Sequence, residues 1–404
     1  MKNKLLIFIL LFMIIFPNRI LANSFESEND QTEYMHYEKA VVTKTSDFSK
    51  ADSFGNMEQE VEVKFLTGEN KGKTIEVVNS VSTQLNSNLN LKIGDKVLIL
   101  ENKDFDGKTV YSVSDYLRTD YLYILAGAFI LFLLIIGRKK GILSVVSLLL
   151  TLGIIIFGAI PMIIKGYSPV LMAVSSSIVI SIFTILIVTG FSKKSLCAIL
   201  GTCLGTILAA LIAYFVGSKL HLTGLSMDET QMLLYLPNNL TLDPKELLLS
   251  GIIWGSLGAV MDVGMSISSS IFEISSANSE LGFKDLLKSG MNVGRDIMGT
   301  MSNTLILAYL GSALPLILLM MVFNQSNYKI INLDVIATEI VRSLSGSIGL
   351  LFTIPITAIL ASYLMQQKID TKKTTLWGCF QSVDKPRKNF GVYFVFTTFY
   401  LSPS

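Results

Sequence analysis

The sequence predicts a polytopic α-helical membrane protein, with about seven transmembrane helices behind a small exported N-terminal β-domain. Three observations predict it. Half of the 404 residues are hydrophobic (51%) and only 16% are charged, against roughly 25% in soluble domains. Mean hydropathy is +0.55. The apolar residues fall into runs of spanning length that begin near residue 119, whereas residues 23–118 are polar and broken by turns.

Residues 1–22, MKNKLLIFILLFMIIFPNRILA, start with Lys2 and Lys4, continue as an apolar run and end on Ala22. That is the order of a signal peptide or, uncut, of an N-terminal anchor. Ile20 is large for the position three before a cut. Either way the next segment is exported.

Residues 23–118 are read as an extracytoplasmic β-rich domain. The acidic stretch 23–35 is expected to be a loose linker. YEKAVVTKT, QEVEVKFL, KTIEVV, DKVLIL and KTVYSVS then alternate or run apolar over strand lengths. Gly68 to Gly72 joins the second and third as a hairpin. Five short strands fit a small barrel or sandwich, with an OB-like barrel as one form.

About 20 apolar residues suffice to cross a bilayer. Seven such spans are expected, near 119–137, 141–163, 168–190, 195–217, 247–273, 297–323 and 343–365. Lys and Arg decide their orientation. Arg138, Lys139 and Lys140 follow the first span, Lys193 and Lys194 the third, Lys284 and Lys288 the fifth, and Lys368, Lys372 and Lys373 the seventh. The other side holds Lys165, Lys219, Lys245, Lys329 and Arg342, mostly one at a time. The N-terminal domain is therefore expected outside and the C-terminus in the cytoplasm. Asp243 before Pro244 is a good start for the fifth helix. Residues 367–404 form a cytoplasmic tail, Lys-rich and then aromatic, to which no function is assigned.

Composition also excludes. A net charge of +2 without a basic stripe gives no argument for nucleic acid. Cys197, Cys203 and Cys379 form no disulfide framework or cysteine zinc site. His36 and His221 are too few and too separated for a His-based metal site, so no metal and no cofactor is expected. Motifs for metalloprotease, P-loop or α/β-hydrolase chemistry are absent, so no catalytic residues are expected.

The remaining chemistry lies in residues 251–311. Asp262, Ser266, Ser269 and Glu273 are spaced 4, 3, 4, and so are Asn292, Asp296, Gly299 and Asn303. Each set follows one face of a helix. By helix rise, Asp262 lies about 16 Å from Glu273, near mid-membrane, and Asn303 roughly 20 Å from Ser289. If the faces meet, Asp262, Ser266, Ser269, Glu273, Asn292, Arg295, Asp296 and Asn303 form an intramembrane polar seam. Such a seam suits the path of an ion, proton or small polar solute. It also suits a structural clasp, in which Arg295 pairs with Asp262 or Asp296 and the seam only holds helices together. A two-aspartate protease is disfavoured, because Arg295 would keep both carboxylates ionised. Gly201/Gly205, Gly251/Gly255 and Gly290/Gly294 read as close-packing pairs, and Gly264 as a packing glycine or a local helix break.

The runs LGAVMDVGMSISSSIFEI and KSGMNVGRDIMGTMSNTLILAYLGSALPLILL resemble the YibE/F-like family of bacterial membrane proteins. Looser likeness extends over roughly residues 58–366. The resemblance implies a polytopic envelope protein with an exported N-terminal domain, and no substrate or reaction. Two functions stay open: a permease for an ion or small solute, or a non-transporting scaffold or sensor whose residues 23–118 bind an envelope partner. The lipid bilayer is a partner under both.

Overall fold

The computed structural model describes residues 36–49, 56–82, 89–103, 109–226, 228–235 and 242–366. The expected signal peptide, acidic linker and C-terminal tail lie outside the described residues. The chain divides into two units, Phe25–Arg138 and the remainder.

The first unit contains the expected strands: β1 His36–Thr45, β2 Asn56–Phe65, β3 Thr74–Ser82, β4 Lys96–Lys103 and β5 Thr109–Tyr116. They pair antiparallel in the order β3-β2-β1-β4-β5. The edge strands β3 and β5 touch, so the sheet curls into a small barrel-like domain. Alternation drives it. Ala40, Val42, Val61, Val63, Phe65, Val77, Val97 and Ile99 point inward and form one core. Gly68 and Gly72 carry the positive φ angles of the hairpin between β2 and β3. Lys44 donates to Glu62 across β1 and β2 at 2.8 Å. The Arg118 guanidinium, 2.5 Å from Asp115, holds that carboxyl below its usual range.

Gln59 and Asn79 are among the polar side chains buried in this barrel. Asn79 donates to Gln59 Oε1 at 3.2 Å and to the Leu89 carbonyl at 2.8 Å, and Gln59 donates to the Leu91 carbonyl at 3.3 Å. Together they fasten the segment before β4 to β2 and β3. Asn79→Ala would leave two buried acceptors without their donor, so it is expected to cost about 1–3 kcal/mol. Thermal unfolding of the purified chain, followed by its β-sheet signal, checks this.

Among the described residues, six helices are long and apolar enough to cross a membrane. They are α1 Thr119–Ile164, α2 Pro169–Thr189, α3 Lys193–Lys219, α4 Pro244–Ala277, α5 Phe283–Val322 and α6 Asp334–Gln366. The 46-residue α1 holds both of the first two expected spans. Its backbone leaves the helical region at Arg138 (φ 47°, ψ −124°), in the basic cluster between them. Helix continues past Pro161, and a π-helical stretch, Ile154–Ala159, comes just before it. Proline frees the carbonyl four residues back, and a wider turn absorbs that defect.

Within the second unit α3, α4 and α6 pack on one another at the centre. Helix α5 leans on α4 and α6, and α2 on α3 and α4. The centre is built from glycine against threonine. A Cβ at Gly201 would collide with Thr357 Oγ1, and one at Gly205 with Thr353 Oγ1. One at Gly264 would lie 2.8 Å from Thr202 Oγ1 and 3.3 Å from the Ala198 carbonyl. Gly264 is thus a close-packing position in an unbroken α4. Small residues let helices approach closely where lipid offers no hydrophobic drive. Gly205→Ala is expected to destabilise the bundle by about 1–3 kcal/mol through overpacking. Thr353→Ala on that background should recover part of the loss in a detergent melting experiment.

Candidate functional site

Helices α4 and α5 meet through apolar residues and glycine. A Cβ at Gly290 would press on Ile271 and lie 3.4 Å from Ala358 Cβ. One at Gly294 would press on Ile354 and lie 3.3 Å from Ile267 Cδ1. Higher up, the Tyr309 hydroxyl stands over Gly255. As the α4 number falls from 271 to 255, the α5 number rises from 290 to 309, so the two helices run antiparallel.

This packing fixes where the expected seam residues go. The buried residues of α5 include Leu286, Gly290, Gly294 and Leu305. At 3.6 residues per turn, Asn292, Asp296, Gly299 and Asn303 lie about half a turn away from that face. All four are exposed, as is Arg295. On α4 the buried side carries Val260, Val263, Ile267 and Ile271. Asp262, Ser266 and Glu273 are exposed on the opposite side, and Ser269 is half-buried there. Among the described residues no hydrogen bond or ion pair joins the α4 set to the α5 set. Arg295 donates instead to Asn292 on its own helix, at 3.3 Å. It pairs with neither Asp262 nor Asp296 among the described residues.

The α4 set belongs to a longer line. Gly251, Gly255 and Gly258 continue the face of Asp262, Ser266 and Glu273 along the helix, and all six are exposed. Asp262 sits about 27 Å from Pro244, midway along the helix. Three glycines on one side and serines on the other leave its carboxylate open.

One end of this line meets a polar cluster that the sequence reading passed over. Tyr309 stands over Gly255, and the Arg342 guanidinium lies 5.7 Å from its ring centroid. Arg342 Nη1 is 3.6 Å from Glu339 Oε1, and both side chains are largely buried. Glu339 Oε2 and Arg342 Nε have no hydrogen-bond partner among the described residues. On α5, steps of seven residues carry the line of Tyr309 back through Ser302 to Arg295, two turns each. The antiparallel pairing sets Asp262 about level with Ser302, whose buried hydroxyl is also unpartnered. At the far end, Glu273 is close enough to Lys194 for their charges to interact.

The signals for these residues were present. Glu339 and Arg342 are three apart in an apolar helix, which puts them on one face. Arg342 counted only as a loop charge in the orientation argument.

Chemically, the arrangement offers one carboxylate at mid-helix on a face of small residues, and a tyrosine–arginine–glutamate cluster about two turns away. A carboxylate without a partner binds a cation or a proton.

Two family models match the chain: YibE/F-like protein over residues 125–367, and YibE/F family N-terminal domain over residues 33–116. No curated protein and no solved structure matches it.

Proposed function

The chain belongs to the YibE/F-like family, and from that premise we propose that it is a permease moving a cation, a proton or a small polar solute along the open face of α4. One observation carries this reading. Asp262, halfway along a helix of spanning length, is exposed and has no partner among the described residues. An ionisable group at membrane depth is costly, and it usually faces protein or a water-filled path. Gly258, about one turn away, has nothing within 4 Å of where its Cβ would stand, which leaves room beside the carboxylate. Asp262 would bind the cation or proton, and Glu273 and the Glu339–Arg342 pair would set the charge near the two ends of the line. No catalytic chemistry is assigned.

The basic residues after the odd-numbered spans favour a β-domain outside the cell membrane and a cytoplasmic C-terminus. The alternative is a scaffold or sensor whose β-domain binds an envelope partner. It draws support from α5, where Asn292, Asp296 and Asn303 form a second exposed polar face that another protein would suit.

Reconstitution separates the two. Vesicles carrying the full chain are tested with protons, alkali and divalent cations and small polar solutes. Flux above that of empty vesicles is expected for at least one. None across the panel would sink the permease reading.

A further inference from the structure

We propose that His36, Glu38 and Glu101 form a binding site for a divalent transition-metal ion, with zinc the best match, on the β-domain. The site does not depend on the permease reading.

The sheet assembles the three residues. His36 and Glu101 are register partners on β1 and β4, and Glu38 is two residues further along β1, on the same face. One ligand atom from each lies within 4.8 Å of the others. Sequence reading leaves His36 a lone histidine. The fold surrounds it with carboxylates, one of them distant in sequence.

Glu38 gives the cluster its direction. It is only 2% exposed, and its Oε2 has no hydrogen-bond partner among the described residues. Among the described residues no lysine or arginine pairs with it. Its one ionic neighbour is His36, with Nε2 at 3.9 Å from Oε1. A buried carboxylate so poorly compensated calls for a cation. The turn between β2 and β3 makes room for the Glu38 carboxylate itself. Gly68 has φ +79°, and a Cβ there would overlap Glu38 Oε1.

The donor set selects the ion. One imidazole nitrogen and two carboxylate oxygens suit zinc and neighbouring divalent ions, with a fourth position left for water or another ligand. Bonds of about 2.0–2.2 Å bring tetrahedral ligand atoms to roughly 3.3 Å apart. The 4.8 Å spread must therefore contract. The His36 side chain is 63% exposed and can swing inward, whereas Glu38 is held in place.

The test uses the full-length protein in detergent, stripped with a chelator and titrated with zinc against a chromophoric competitor. Wild type is expected to bind zinc in competition with the indicator. His36→Asn and Glu38→Gln should each weaken it at least tenfold, an effect no smaller than the roughly 10–100-fold loss seen for residues that only orient metal ligands. His221→Asn should leave it unchanged. Cobalt should give visible d–d bands that His36→Asn removes. If Glu38→Gln fails to fold, His36→Asn and Glu101→Gln, at more exposed positions, decide the matter. Wild type that cannot compete with the indicator, or variants that bind as wild type does, would overturn the site.

Discussion

Asp262→Asn is expected to cut solute flux sharply while leaving the protein folded and at normal membrane levels. The substitution keeps the shape of the side chain and removes its charge. No hydrogen bond or ion pair of Asp262 is lost among the described residues, so little stability should go with it. Insertion should become easier, because an ionised aspartate at a helix centre carries about 2.5–3.5 kcal/mol on insertion scales. A residue that only held helices together would behave in the opposite way, with lower melting temperature and flux falling in step with protein level. The readout is therefore a split: flux per molecule down by about tenfold or more, equivalent to roughly 1.4 kcal/mol of barrier, with the melting temperature held. Asp262→Glu should retain part of the flux, since it keeps the charge and shifts it by one methylene. Unchanged flux per molecule in Asp262→Asn would remove the carboxylate from the path.

The expected spans from 168 onward each fall on a helix, and the five strands lie where alternation puts them. Both patterns are written in local periodicity. The rotation of each helix about its axis was not legible in the same way. The polar residues of α4 and α5 were expected to meet because they share the spacing 4, 3, 4. The contact is decided instead by Gly290 and Gly294, which let Ile267, Ile271 and Ile354 sit against the α5 backbone. Apolar side chains filling glycine notches outweigh a few polar contacts worth about 0.6 kcal/mol each. The sequence contains those glycines, but not which neighbour fills them. The same holds for the β-domain. Glu101 joins His36 only through the pairing of β1 with β4, which skips two strands in sequence.

The cluster at Arg342 should show the largest stability effect in the bundle. Arg342→Met would leave Glu339 at 9% exposure, with one carboxylate oxygen already unpartnered and its guanidinium neighbour gone. Breaking a buried pair from one side costs about 3–5 kcal/mol. Here the pair is 3.6 Å apart and slightly open to solvent, so roughly 3 kcal/mol is expected. The loss includes the cation over the Tyr309 ring, about 0.5–2 kcal/mol by itself. Adding Glu339→Gln should recover much of the stability, because taking both charges out of a buried site is often close to neutral. Melting temperatures of the two single variants and the double variant in one detergent give the cycle. If Arg342→Met melts like wild type, the pair is solvated and holds nothing. If the double variant is no better than Arg342→Met, the cost lies in lost packing on Tyr309, and Tyr309→Leu should reproduce it. A positive cycle would mark Glu339 as a charge kept in an apolar helix at the expense of stability. It stands beside Tyr309, where α5 crosses the glycine line that leads to Asp262, and a role in setting the field along that line would account for its retention.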